Sequence, residues 1–154
     1  MSAREAPAVP LARLLLMAGR SMVDELHVRL RAAGWHDIRP AYGFVLVALK
    51  DRELTTTALA TELTVTKQAA SKLVDAMVAA DLVDRTTDPD DARARRLRLS
   101  ARGRRLLDVV EGIYTELEAE WAAIIGDRQL RETSRRLARV LVAVHHGKLP
   151  PVRP

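Results

Sequence analysis

The chain has 154 residues, 48% of them hydrophobic and 29% charged, with no cysteine and a formal net charge of +5. That length fits one domain, or one compact module with helical extensions, and is enough to bury a core. The missing cysteine excludes a disulfide framework, zinc–thiolate ligation and a thiol-oxidation switch. Charges interrupt every segment, so no apolar run approaches a membrane span. The N-terminus lacks the pattern of a secretory signal, which makes the cytoplasm the expected location. The basic excess also has a place. Residues 1–63 carry eight basic and seven acidic groups and residues 106–154 seven of each, whereas residues 64–105 carry ten basic and six acidic. A surplus in the middle of the chain suits contact with a polyanion, and a solvated basic face is the plainer alternative.

From Val9 to about Ala33, Leu11, Leu14, Leu15, Met22, Leu26 and Leu30 recur at helical spacing, and Gly34 is a suitable terminator. WHDIRP reads as a connection, and AYGFVLVALKD as a short buried helix starting near Pro40. In LTTTALATEL, residues 54–63, Thr55 or Thr56 can cap a third helix with Leu59 and Leu63 on one face. After TVT, Thr66 is a good N-cap for a fourth helix whose buried stripe is Ala69, Ala70, Leu73, Met77 and Val78. Two short helices so close together must pack across each other, which is the helix-turn-helix arrangement.

LVDRTT then has strand character and DPDD is turn chemistry. ARRLRLS alternates so that Leu97 and Leu99 share one face and Arg96 and Arg98 the other, giving a β-hairpin. Ser100 caps a long helix to about Ile125 with Leu106, Val109, Val110, Ile113, Leu117, Trp121 and Ile124 in a stripe. Gly126 ends it, and Asp127 is expected to cap a last helix with Leu130, Leu137, Val140, Leu141 and Val144 inward. The closing HHGKLPPVRP cannot continue a helix. The terminal helices carry more apolar stripe than one short central module can cover, so a homodimer is expected.

The predicted fold is thus mainly α: a winged helix-turn-helix at about residues 40–100, and dimerisation helices at about 9–34 and 101–146, in a single module over 1–154. Such a unit puts the N-terminal residues of its second helix into a major groove. Here those positions are Thr66, Lys67, Gln68, Ser71 and Lys72, beside a hairpin carrying Arg93, Arg95 and Arg96. Glutamine can pair bidentately with adenine and lysine can address guanine acceptors. If these side chains are ordinary solvated residues instead, the chain is a winged-helix protein-interaction module without sequence-specific DNA binding.

The segment from Leu59 to Leu107 resembles the core of the MarR family of bacterial transcription regulators. The resemblance rests on Leu59, Ala60, Val65, Thr66, Lys67, Gln68, Ala69, Ser71, Leu73, Val74, Asp75, Leu82, Val83, Arg85, Asp88, Pro89, Asp91, Arg93, Leu97, Leu99, Ser100 and Gly103. It implies a homodimeric regulator, most often a repressor released by a small aromatic or phenolic effector, on a palindromic double-stranded operator. The family's aspartate-x-arginine signature falls on Asp91 and Arg93, which implies that Asp91 shapes the wing while Arg93 reaches a minor groove. Three positions depart from the family pattern. Ala92 replaces a wing-tip arginine, and Asp81 and Thr64 stand where glycines are usual.

For an effector, Trp35, His36, Arg39 and Tyr42 in one connection and Trp121 on the long helix are the candidates, Arg39 as partner of a carboxylate and the aromatics as a lining. Packing at the base of the first helix explains Trp35 and Tyr42 equally well. His145 and His146 lie about 100° apart on a helix and cannot easily share one ion, so no metal or other cofactor is expected. No phosphate loop, nucleophile elbow or HExxH occurs, so no enzyme is expected either.

Overall fold

A computed structural model describes residues 8–87 and 95–151. Six helices and a small sheet follow one another as α1 (Leu11–Ala32), α2 (Pro40–Ala48), β1 (Leu54–Thr55), α3 (Thr56–Leu63), α4 (Lys67–Ala79), β2 (Val83–Thr87), β3 (Arg95–Leu99), α5 (Ala101–Ile125) and α6 (Asp127–Val144). The mainly helical winged helix read from the sequence is the fold found. The DPDD turn expected between the wing strands, with Asp91, Ala92 and Arg93, lies outside the described residues.

Local chemistry accounts for most element boundaries. Pro40 occupies the first turn of α2, where its missing N–H is harmless. Thr55, Thr66 and Ser100 accept from the backbone N–H of Ala58, Ala69 and Gly103 at 3.1, 3.1 and 2.9 Å, so each of the three expected caps satisfies an orphan donor. Three helices close in one way. The N–H of Trp35, Val65 and Leu82 reaches back to the carbonyl of Leu30, Ala60 and Met77, across a left-handed residue at Gly34, Thr64 and Asp81. The two non-glycine departures therefore keep the conformation that a glycine would adopt most readily.

Two expectations are corrected here. Leu54 and Thr55 form a strand before the helix begins, pairing antiparallel with β3 as Leu54↔Leu97 and Thr55↔Arg96, so the sheet has three strands in the order β1-β3-β2. A two-residue strand is too short to show alternation, which hides it in sequence. Asp127 does not cap α6. The N-cap is Gly126 at φ 94°, without a side-chain hydrogen bond, and Asp127 sits in the first turn, where its charge still suits the helix dipole.

One core runs through the molecule. Leu26 and Leu30 of α1, Val45 and Leu46 of α2, Leu59 and Leu63 of α3, Val74 and Met77 of α4, Leu97 and Leu99 of β3, and Leu106, Val110, Ile113 and Leu117 of α5 are all buried in it. α5 is the spine, packing on α1, α2, β3 and α6. Its start sits so close to the base of the wing that a Cβ on Gly103 would lie 2.0 Å from the backbone oxygen of Leu82. Only glycine fits there. α6 packs mainly on α5, and none of its residues is fully buried, against the inward placement expected for its apolar stripe.

Candidate nucleic-acid interface

Helices α3 and α4 pack directly against each other, and α4 in turn against β2. With Ala70, Val74 and Met77 turned into the core, the first turn of α4 presents Thr66, Lys67, Gln68 and Lys72 to solvent, while Ser71 is half-buried. Ala69 is exposed too, although helical periodicity assigned it to the buried stripe. The core-facing row of α4 is Ala70, Val74, Met77, and Ala69 lies one residue to the side of it. An exposed alanine here is chemically meaningful, because its methyl can meet the methyl of thymine. Small apolar residues carry no polarity that would have marked the position in sequence.

The wing is built from the ladder of β2 and β3, with Val83↔Leu99, Arg85↔Leu97 and Thr87↔Arg95 opposite each other. Leu97 and Leu99 are buried, Arg98 is exposed and Arg96 is half-buried, as the alternation predicted. Arg95 is exposed and donates to the Thr87 hydroxyl at 3.2 Å. Arg98 pairs with Asp84 at 3.5 Å across the ladder. Arg85 forms an ion pair with Asp75 of α4, tying the wing to the second motif helix, and Arg52 pairs with Glu62 of α3 while donating to the Ala48 carbonyl at 3.0 Å. These exposed pairs add little stability individually. Their geometric effect is to set the wing, α3 and α4 in fixed relation.

The five effector candidates are not gathered around one cavity. Tyr42 is buried in the core, and His36 is exposed. Trp35 lies half-buried under the Arg102 guanidinium, 4.8 Å from the ring centre, a cation–π contact at the foot of α5. Trp121 lines an open groove of about 960 Å³ between α1 and α5, with Leu16, Met17, Val28 and Leu117. Arg39 alone borders a separate, narrower cavity of about 370 Å³ between α1, α2 and α5, whose other walls include Leu26, His27, Ile38, Phe44 and Tyr114. His27 and Tyr114 are the polar groups that sequence reasoning missed. Burial holds the His27 imidazole below its ordinary pKa, assisted by Arg31 and opposed by Asp24, and burial raises that of Tyr114. On the far side of α1, Arg29 hydrogen-bonds Glu120 at 2.7 Å, Glu25 at 3.0 Å and Glu116 at 3.3 Å, clamping α1 to α5.

Crossed short helices followed by an arginine-bearing hairpin define a winged helix-turn-helix protein. Residues 36–94 match the model of the MarR family. The fold as a whole is shared with solved structures of MarR and MepR. The reduced form of MarR from E. coli superposes with a TM-score of 0.74 at 23% identity, covering 88% of this chain and 98% of that chain. A point mutant of MepR from S. aureus bound to an oligodeoxyribonucleotide gives 0.63 at 21% identity, covering 89% and 99%. MepR bound to ethidium bromide gives 0.61 at 21%, covering 88% and 97%. No curated protein matches the chain. No helix among the described residues is long and apolar enough to cross a membrane.

Proposed function

We propose that this protein is a cytoplasmic, homodimeric DNA-binding regulator, a repressor rather than an enzyme, released from its operator by a small molecule. The observation that carries this reading is the first turn of α4, which holds Lys67, Gln68, Ala69 and Lys72 free of the core, next to a hairpin whose strand β3 bears Arg95 and Arg96. α4 lies in the major groove, where Gln68 and Lys67 address base edges, Ala69 meets thymine methyls, and Thr66, Ser71 and Lys72 hold phosphates. The wing follows the flanking minor groove, in which the resemblance gives Arg93 the groove-reaching role and Asp91 the role of shaping the turn.

The dimer is formed by the helices of residues 9–34 and 101–146, with the lobe of residues 40–100 left to the duplex. Its support is the apolar surface that a single chain leaves in water on α1, α5 and α6: Leu11, Leu14, Leu15, Leu16 and Met17, then Ile124 and Ile125, then Val140, Leu141 and Val144. Two lobes related by a two-fold axis select a palindromic duplex with half-sites about one helical turn apart.

The effector enters the cavity between α1, α2 and α5. Its walls are almost wholly apolar and Arg39 stands at its rim, so a flat apolar molecule with one acidic group fits it. A relative of the same fold, MepR, is known bound to the flat aromatic ethidium. Selection of binding fragments from the source genome, followed by titration of the selected duplex, tests the reading. Lys67→Ala with Gln68→Ala is expected to abolish the preference for that duplex over a scrambled one. A wild-type protein that retains no duplex at low salt would overturn it.

A further inference from the structure

The outer face of α6 is unaccounted for by either the operator or the dimer. Arg128, Arg131, Arg135 and Arg139 fall within about 80° of arc on that helix, a row about 16 Å long. All four are exposed, and none has an ion-pair partner among the described residues. Arg136, at the edge of the row, is taken by Glu132 at 2.8 Å. Three of the four glutamates of the neighbouring α5 are engaged elsewhere, Glu111 by Lys50 and Glu116 and Glu120 by Arg29, and the fourth, Glu118, forms no ion pair with the row. Like charges at three- and four-residue spacing repel one another along a helix, so the row is electrostatically unfavourable unless an anion lies against it.

Leu130, Leu137, Leu141 and Val144 occupy the opposite side of α6, so the side that meets a second copy is not the side that bears the arginines. Dimerisation leaves the row open. α6 packs mainly on α5 and starts at the end of α5 remote from the wing base, about 37 Å of helix from Ser100.

We propose that the α6 arginine row is a second binding face for the phosphate backbone of duplex DNA, through which a dimer already seated on its operator captures another segment. The inference rests on the DNA-binding reading above. A row of this length matches four to five phosphates of one strand at roughly 3.4 Å per phosphate along the axis, and guanidinium groups engage phosphate oxygens bidentately. With no base-reading side chain in the row, this capture is indifferent to sequence and strongly salt-dependent.

The test uses the full chain on beads coated with a selected operator duplex, with a free fluorescent duplex of scrambled sequence offered in solution. Wild-type protein is expected to retain the free duplex, and combining Arg128→Gln, Arg131→Gln, Arg135→Gln and Arg139→Gln is expected to lower retention by about tenfold or more. Binding to the beads and dimer mass by light scattering should stay as in wild type, and Arg135→Gln with Arg139→Gln should give an intermediate loss. Lys67→Ala with Lys72→Ala should lower bead binding to the salt-sensitive, sequence-indifferent level that the α6 row supports by itself. Equal retention by wild type and the fourfold variant overturns the proposal, as does displacement of the free duplex by polyglutamate at matched charge. Wild-type protein on the beads with no second duplex retained would overturn this proposal alone, and failure to bind the beads at all would overturn both readings.

Discussion

The central lobe and the terminal helices bury their apolar residues in opposite ways. In the lobe, Leu59, Leu97 and Met77 are fully buried, Thr55 and Thr66 cap the starts of α3 and α4, and a backbone hydrogen bond closes the end of each. At the chain's two ends, Leu16 is 76% and Ile124 81% exposed, and α6 buries nothing completely. Local capping and a complete core let the lobe specify its own shape. The terminal helices have the same periodicity and good helix formers, but much of their apolar surface stays in water in a single chain. One sequence pattern thus accompanies two outcomes, a closed core and an open apolar face, and only three-dimensional packing tells them apart.

The largest expected effect breaks the lobe at its tightest point. Gly103→Ala drives a methyl into the Leu82 carbonyl, which is backbone and cannot step aside, so unfolding free energy in urea should fall by about 3 kcal/mol or more. A loss under about 1 kcal/mol would mean that α5 slides freely on the wing. Leu141→Asp strikes the other region. It should cost about 2 to 3 kcal/mol of association, read by sedentimentation or light scattering as a shift to monomer, while the lobe keeps its near-native circular dichroism. Unchanged mass would remove α6 from the interface. Thr64→Gly should sharpen the comparison by relieving a left-handed, β-branched residue, raising stability by about 0.5 to 1 kcal/mol without altering mass. If stability falls instead, the Thr64 side chain supplies more than the backbone loses.

The smallest effect concerns His27, which lies where the two regions meet. Its pKa is lowered in the fold, chiefly by burial, so the unfolded chain takes up the proton first. Its contribution is fully present above the unfolded value near 6.5 and is lost as pH falls below it. Melting temperature should therefore decline more steeply on mild acidification in wild type than in His27→Gln. Parallel curves would assign the decline to other groups.

Much of the lobe was legible in sequence because its cues are local. Thr66 and Ser100 announce helix starts, Gly34 a helix end, and the alternation from Arg95 to Leu99 a strand with a wet and a dry face. The first strand escaped because two residues carry no period, and the α6 cap because a left-handed glycine does the work assigned to Asp127. At the candidate interface, the exposure of Lys67, Gln68 and Lys72 was legible from side-chain type, whereas that of Ala69 was not, since a methyl group looks the same in a core and on a surface. The cavity was harder still. His27 comes from α1, Arg39 from the connection before α2 and Tyr114 from α5, and no spacing along the chain foretells their meeting.

Thr55 occupies a singular place in this architecture. It is at once the final rung of β1, opposite Arg96, and the residue whose hydroxyl caps α3. No linker separates sheet from helix, so a torque applied to the wing passes undiluted into the helix-turn-helix. Any reorientation of the wing must then carry α3 with it, and amide exchange should show β3 and α3 opening together or not at all.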